Sequence, residues 1–311
     1  MGIVPLVELK TFPRANARLQ NRAGQKHHYI PKFYLKQWAG DDGRLCEFSK
    51  PHDIVKARMT HPGGTGFLRG LYTFPTLPVA LASALEQRFL MRTDNEACAA
   101  LSQLLHGDAN LNAAQRCAWS RFIMTLIHRT PEALDRYAAK IALEYPTFLE
   151  EALADLPDHL REATSPDAIR RLRSGLSEAD LERMLFGSLQ TMMDSEFLGT
   201  ALNSMLMGVL EFHDSHHLLH TSDRPMVMSN GLNRPDAELS IPISPRRIVV
   251  MANNMEMLKK IEAMARSGGL AQRINNRMAR QARKYVYGTD ARALKFIESR
   301  LGEKAAWSPL E

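Results

Sequence analysis

Apolar and polar positions alternate from Arg44 to Ser49 around Leu45, Cys46 and Phe48, the two-residue period of a half-buried strand. Asp53 to Thr60 and Gly70 to Phe74 predict two further short strands. Before them, Pro31 opens a short helix to Ala39, since the missing proline N–H costs nothing at the first helical position. From Pro78 the period becomes helical. Leu81, Leu85, Phe89, Cys98, Leu101 and Leu105 mark a helical stretch over 78–106, and Trp119, Phe122, Ile123, Leu126 and Ile127 mark another over 112–129. Pro131 starts a helix to about Tyr145. Pro146, Pro157, Pro166 and Gly175 then predict short charged helices over 147–175. Ser177 caps a helix to about Glu196, which 197–209 would continue. Strands return at Glu211–His220, Met226–Met228, Glu238–Ser244 and Arg246–Met251. Helices over 254–266, 270–286 and 290–302 finish the chain.

This order predicts a mainly α-helical α+β fold. A small antiparallel sheet would combine the N-terminal and late strands, with a long helical insert over about 78–209. Residues 27–303 would form a single domain, flanked by a flexible basic arm (1–26) and a tail (304–311).

Composition adds limits. The chain has 311 residues, 45% of them hydrophobic, enough for a large core. No apolar run approaches the roughly 20 residues of a spanning helix, and no basic-then-apolar leader opens the chain, so a cytoplasmic location and no membrane partner are expected. Cys46, Cys98 and Cys117 form no C-x-x-C pair and read as reduced thiols. Net charge is +6, unevenly spread. Residues 131–196 hold 14 acids against 7 bases, and residues 246–288 hold 10 bases against 2 acids. In helix 270–286, Arg273, Arg277, Arg280 and Lys284 stack on one face. That stripe could follow the phosphates of a nucleic acid, or be a solvated face paired with the acidic region. The acidic insert and its Met-rich stretch offer a surface for a protein partner.

Candidate chemistry is scattered. His27 and His28 precede Pro31, and in an extended segment only one faces a given pocket. Tyr29 and Tyr34 add hydroxyls nearby. Arg129 ends an apolar helix, where a cation also complements the helix dipole. Asp223 sits in a Thr-Ser-Asp-x-Pro corner, where such residues often satisfy their own turn. Glu86 and Glu96, ten residues apart on a regular helix, would share roughly one side. His213 with His217, and His216 with His220, would share faces of a strand. Gly63-Gly64-Thr65-Gly66 lacks the Lys-Ser/Thr of a P-loop.

The run Gln25-Lys26-His27-His28-Tyr29-Ile30-Pro31-Lys32-Phe33-Tyr34-Leu35-Lys36 resembles the opening signature of the domain-of-unknown-function family 4238. The similarity continues through Tyr72, Glu86, Glu96, Arg129-Thr130-Pro131, Thr221-Ser222-Asp223-Arg224-Pro225 and Ile241-Pro242-Ile243-Ser244-Pro245, covering about 25–288. The resemblance singles out His28, Tyr34, Glu86, Glu96, Arg129 and Asp223, which come from separated segments and would form a buried polar cluster if folding brings them together. Such a cluster is either a satisfied structural network or an active site. In the second case His28, Tyr34, Arg129 and Asp223 would be catalytic, and Glu86, Glu96 and Asp223 would hold Mg2+ or Mn2+. The function expected is then a metal-assisted hydrolase of nucleic-acid phosphodiesters in a bacterial-type cytosolic protein. The alternative is a non-catalytic nucleic-acid-binding or protein-interaction module.

Overall fold

A computed structural model describes residues 24–82, 84–213, 217–229 and 231–303. Except for residues 24–26, the expected basic arm lies outside the described residues, as does the tail 304–311. The described chain is α+β and mainly helical.

The strands form three small antiparallel sheets rather than one. Strand β1 (Lys26–His28) pairs with β4 (Phe67–Arg69). A second sheet has the order β3-β2-β10-β6, joining early strands β2 (Leu45–Ser49) and β3 (Lys56–Thr60) to late strands β6 (Thr221–Ser222) and β10 (Tyr285–Gly288). A third has the order β5-β9-β8-β7, with β5 (Leu206–Glu211), β7 (Val227–Ser229), β8 (Glu238–Ser244) and β9 (Arg247–Ala252).

The third sheet is covered on both faces. Leu239, Ile241, Ile243, Val249 and Met251 join the main core with Tyr34, Trp38, Trp119 and Phe122. Ile248, Val250 and Ala252, on the alternate positions, pack with Leu258 and Ile261 of α10 (Met255–Arg266) and with Leu270, Ile274 and Met278 of α11 (Gly269–Gln281). Continuous apolar runs in β8 and β9 follow from this double burial.

The helices preceding these are α1 (Lys32–Leu35), α2 (Val79–Ala82), α3 (Met91–Leu105), α4 (Ala113–His128), α5 (Pro131–Ala154), α6 (Asp158–Ala163), α7 (Pro166–Arg173), α8 (Glu178–Met193) and α9 (Glu196–Ser204). Asn112 and Gln115 close a capping box at the start of α4, and Thr130 caps α5 with Pro131 in its first turn. Helix α5 runs through Pro146, where a break is expected. Proline removes one backbone donor, but Ala142, Leu143, Leu149 and Glu150 around it are strong helix formers.

Other expectations shift as well. The stretch 197–209 does not continue the preceding helix, because α9 ends at Ser204 and β5 follows directly. No strand spans Glu211–His220; its described residues after Glu211 are irregular, and residues 214–216 lie outside the description. The strand expected at 70–74 lies earlier, at Phe67–Arg69. Gly70 adopts φ +64°, which turns the chain out of the extended region. Helix α11 stops at Gln281 rather than running to 286, and Tyr285 and Val286 belong to β10.

Candidate functional site

The opening motif is anchored by the glycine loop. Gly66 O accepts the N–H groups of Tyr29 (3.0 Å) and Ile30 (3.1 Å), and a Cβ on Gly66 would meet Ile30 and Leu35 at 3.2–3.3 Å. With φ +64°, that position needs glycine on both counts. The loop thus positions β1 rather than cradling a nucleotide.

The two histidines separate as the strand geometry predicts. His27 is buried, stacks on Tyr72 with centroids 5.5 Å apart, and its Nδ1 accepts the Tyr72 N–H at 2.9 Å. Its nitrogen is spent on structure. His28 faces the other way, 5.4 Å from the Phe67 ring, and its buried Nε2 has no hydrogen-bond partner among the described residues. Burial first, then Lys32, Lys26 and Arg129, lower its pKa to about 4. The imidazole is therefore neutral at physiological pH.

Arg129 is the hub. It caps the C-terminus of α4 and is fully buried. Its Nη1 donates to Asp94 Oδ1 of α3 at 2.9 Å, and its carbonyl accepts the Tyr72 hydroxyl at 2.6 Å. Its Nε and Nη2 find no partner among the described residues. A guanidinium with two unspent N–H edges in a buried position is expensive unless something occupies it.

Glu86 completes the group. It lies in a π-helical turn, Leu85–Leu90, immediately before α3. Burial raises its carboxyl to about 7; Asp94 adds to the rise, while Arg129 and Lys32 oppose it. No described residue hydrogen-bonds or ion-pairs with it directly. The π turn also decides which carboxylate joins it. A wider turn advances less than the ordinary 100° per residue, so the following helix is set back. Asp94 then comes round to Glu86's side and Glu96 is carried away. Glu96 instead binds Arg92 (2.7 Å) and Arg121 (3.4 Å), half-exposed.

Of the residues expected to converge, His28 and Glu86 lie within electrostatic reach of Arg129, without direct contact among the three. Asp94, Tyr72 and Lys32 join them without having been singled out; Lys32 and Tyr72 belonged to the family signature, and only Asp94 lacked any mark beyond its helical spacing from Glu86. Tyr34 lies deep in the core, where it bonds Thr221 Oγ1 at 2.8 Å and donates to the Pro242 carbonyl at 2.6 Å. Asp223 is buried and clamps the chain between α11 and β10. It accepts from the N–H groups of Arg283 (2.9 Å), Lys284 (2.6 Å) and Tyr285 (3.0 Å). Burial raises its pKa to about 6, against those three donors. Its charged neighbours are Glu132 and Arg224, not the Arg129 hub. The carboxylates expected to share a metal, Glu86, Glu96 and Asp223, thus occupy three environments. Among the described residues no group of three or more His, Cys, Asp or Glu side chains is arranged to hold a metal ion.

The basic face of α11 is partly spent. Arg273 pairs with Glu238 and Arg280 with Glu303, each at 2.8 Å. Lys284, beyond the helix end, lies 5.0 Å over the Tyr285 ring, and Arg277 forms no ion pair with a described residue. His213 lies 3.3 Å from Glu211 in irregular chain, so the expected strand spacing of the late histidines does not form. All three cysteines are free, Cys46 buried and the others exposed. No helix among the described residues is long and apolar enough to cross a membrane.

The model of a family described as a protein of unknown function (DUF4238) matches residues 26–292. No curated protein and no solved structure matches the chain.

Proposed function

Since the chain belongs to the DUF4238 family, which carries no assigned reaction, the site must supply the reading, and we propose that the protein is a hydrolase of anionic esters, with nucleic-acid phosphodiesters as its substrate class. The observation that carries this is Arg129: wholly buried, one edge on Asp94, two N–H donors unspent. A substrate oxyanion would occupy those donors, and charge developing on it would be stabilised in a water-poor site. Two groups near it bear on the reaction. His28 is neutral and its Nε2 can accept a hydrogen bond from an attacking water or hydroxyl, though with a pKa of about 4 it is a weak base at neutral pH; Glu86, near half-ionised, is matched to pass a proton to the leaving oxygen. Lys32 adds positive charge at the exposed rim. Were Mg2+ or Mn2+ to bind with the substrate, Glu86 and Asp94 would be the carboxylates to hold it, and it would offset the phosphate charge.

The test is cleavage of labelled RNA and DNA across pH, with Mn2+ or with EDTA. Turnover should fall by about a hundredfold or more in His28→Ala and in Glu86→Gln. Glu96→Gln should leave it within twofold of the parent. Absence of turnover on both substrates under all conditions would remove the hydrolase reading.

The alternative is a non-catalytic nucleic-acid-binding or protein-interaction module. Favouring it, Asp223 and Tyr34 sit in networks that satisfy their polar atoms and stabilise the fold. Nucleic acid would then bind through Arg277 and Lys284, with salt-sensitive affinity and no turnover. A protein partner would use the acidic insert, where Leu143 and Phe148 stand exposed.

A further inference from the structure

A cavity of about 540 Å³ lies where the segment before β6, helix α11 and the turn after β10 meet. It shares no lining residue with the Arg129 hub. Its volume falls in the range of small-molecule sites, roughly 300–1,000 Å³.

The walls are built rather than incidental. Asn275 Oδ1 accepts the His220 N–H and its Nδ2 donates to the Leu218 carbonyl, both at 2.8 Å, fixing the segment that forms one side. Gly288 leaves room for the His220 ring: a Cβ there would lie 3.0 Å from Cδ2. The imidazole stacks on Phe296 with centroids 6.4 Å apart, and its buried Nδ1 has no partner among the described residues.

The charge balance is positive. Asp290 and Arg292 neutralise each other: Asp290 Oδ1 accepts the Arg292 backbone N–H and Oδ2 takes the guanidinium Nε and Nη2, so Arg292 has only its Nη1 left to offer a ligand and Arg246 is the uncompensated charge. Arg246 has no carboxylate partner among the described residues. It spends one terminal nitrogen on the carbonyls of Phe212 (3.0 Å) and His213 (3.1 Å), which aims the fork and leaves its other N–H groups open. Arginine forks match planar oxyanions and phosphates.

We propose that this cavity binds a small organic anion, its phosphate or carboxylate held by Arg246 and Arg292 and its body against His220 and Phe296. The site is independent of the hydrolase reading.

The test is calorimetric titration of the full chain with AMP, inorganic phosphate and citrate, with adenosine as the uncharged control. AMP or citrate should bind at least tenfold tighter than adenosine. Binding should weaken about tenfold in Arg246→Gln and in Arg292→Gln, the loss of one charge-assisted contact. Arg292 is 83% exposed at its side chain, so its variant should fold even if Arg246→Gln does not. Binding of AMP and inorganic phosphate marks phosphate as the recognised group, and binding of citrate alone marks carboxylate. Because the Arg129 hub is itself read as an oxyanion site, the titration is repeated on Arg129→Met. Affinity that persists there and falls in Arg292→Gln belongs to the cavity. Failure of every anion to bind, equal affinity for adenosine and AMP, or loss in Arg129→Met with retention in Arg292→Gln would each overturn the proposal.

Discussion

Asp94 engages one terminal nitrogen of Arg129 at 2.9 Å, and the arginine's Nε and Nη2 have no partner among the described residues. The carboxylate is a quarter exposed at its side chain, while the guanidinium is fully buried. Removing the acid strands a charge that cannot reach water. Asp94→Ala should therefore cost about 3–5 kcal/mol of unfolding free energy. Denaturant titration checks this, with a loss under about 1 kcal/mol counting against an uncompensated buried cation.

Glu86 links stability to pH. Its folded pKa, about 7, lies above its ordinary 4.5. The stabilising contribution is full below about 4.5 and is lost as pH rises through 7. Glu86→Gln should flatten that fall and be more stable than the parent at pH 8, while losing turnover. Melting curves at several pH values would expose the opposite outcome, a variant less stable at high pH.

His128 works with the other sign. It is fully buried beside Tyr137, and burial lowers its pKa from 6.5 to about 4. Its contribution is present above 6.5 and disappears as pH falls through 4. The acid penalty is on the order of 3 kcal/mol at full protonation. Stability of His128→Gln, measured between pH 7 and 4, should decline less steeply than that of the parent.

Asp223 acts as a clamp. Its three backbone donors lie at the end of α11 and the start of β10. Asp223→Ala should speed amide exchange at residues 283–285 and lower stability by about 2–4 kcal/mol. Asp223→Asn should recover part of the loss. Unchanged exchange at those amides would disprove the clamp.

Tyr34→Phe removes a hydroxyl that reaches both Thr221 and the Pro242 carbonyl. The expected cost is about 1–3 kcal/mol by chemical denaturation, with any ester hydrolysis unchanged. A large loss of turnover in a fully folded Tyr34→Phe would return that hydroxyl to the reaction.

Much of this was legible before folding was considered. Period alone places α4, β8 and β9, because long amphipathic or doubly buried runs carry their own signature. The extended His27-His28 pair also behaves as its geometry demands, one ring stacked on Tyr72 and the other turned to Phe67. Where the period misled, a local device intervened. Gly70 turned a strand back on itself, Asp223 ended α11 early, and the π turn at Leu85–Leu90 rotated Glu96 out of the cluster and Asp94 into it. None of these is written in hydropathy. The π turn in particular inserts no proline or glycine to betray it, and a residue count along an ideal helix leaves Asp94 and Glu96 about 80° to either side of Glu86, so it cannot choose between them.

The pairing of β2 with β10 has a kinetic corollary. Phe48 faces Val286, so a strand made early in synthesis waits for one made near the end. Until residue 285 leaves the ribosome, one edge of β2 stays open to competing strands. Chains cut short before β10 should aggregate, and refolding should be slow for a protein so rich in helix, because ring closure across most of its length precedes any gain from that edge.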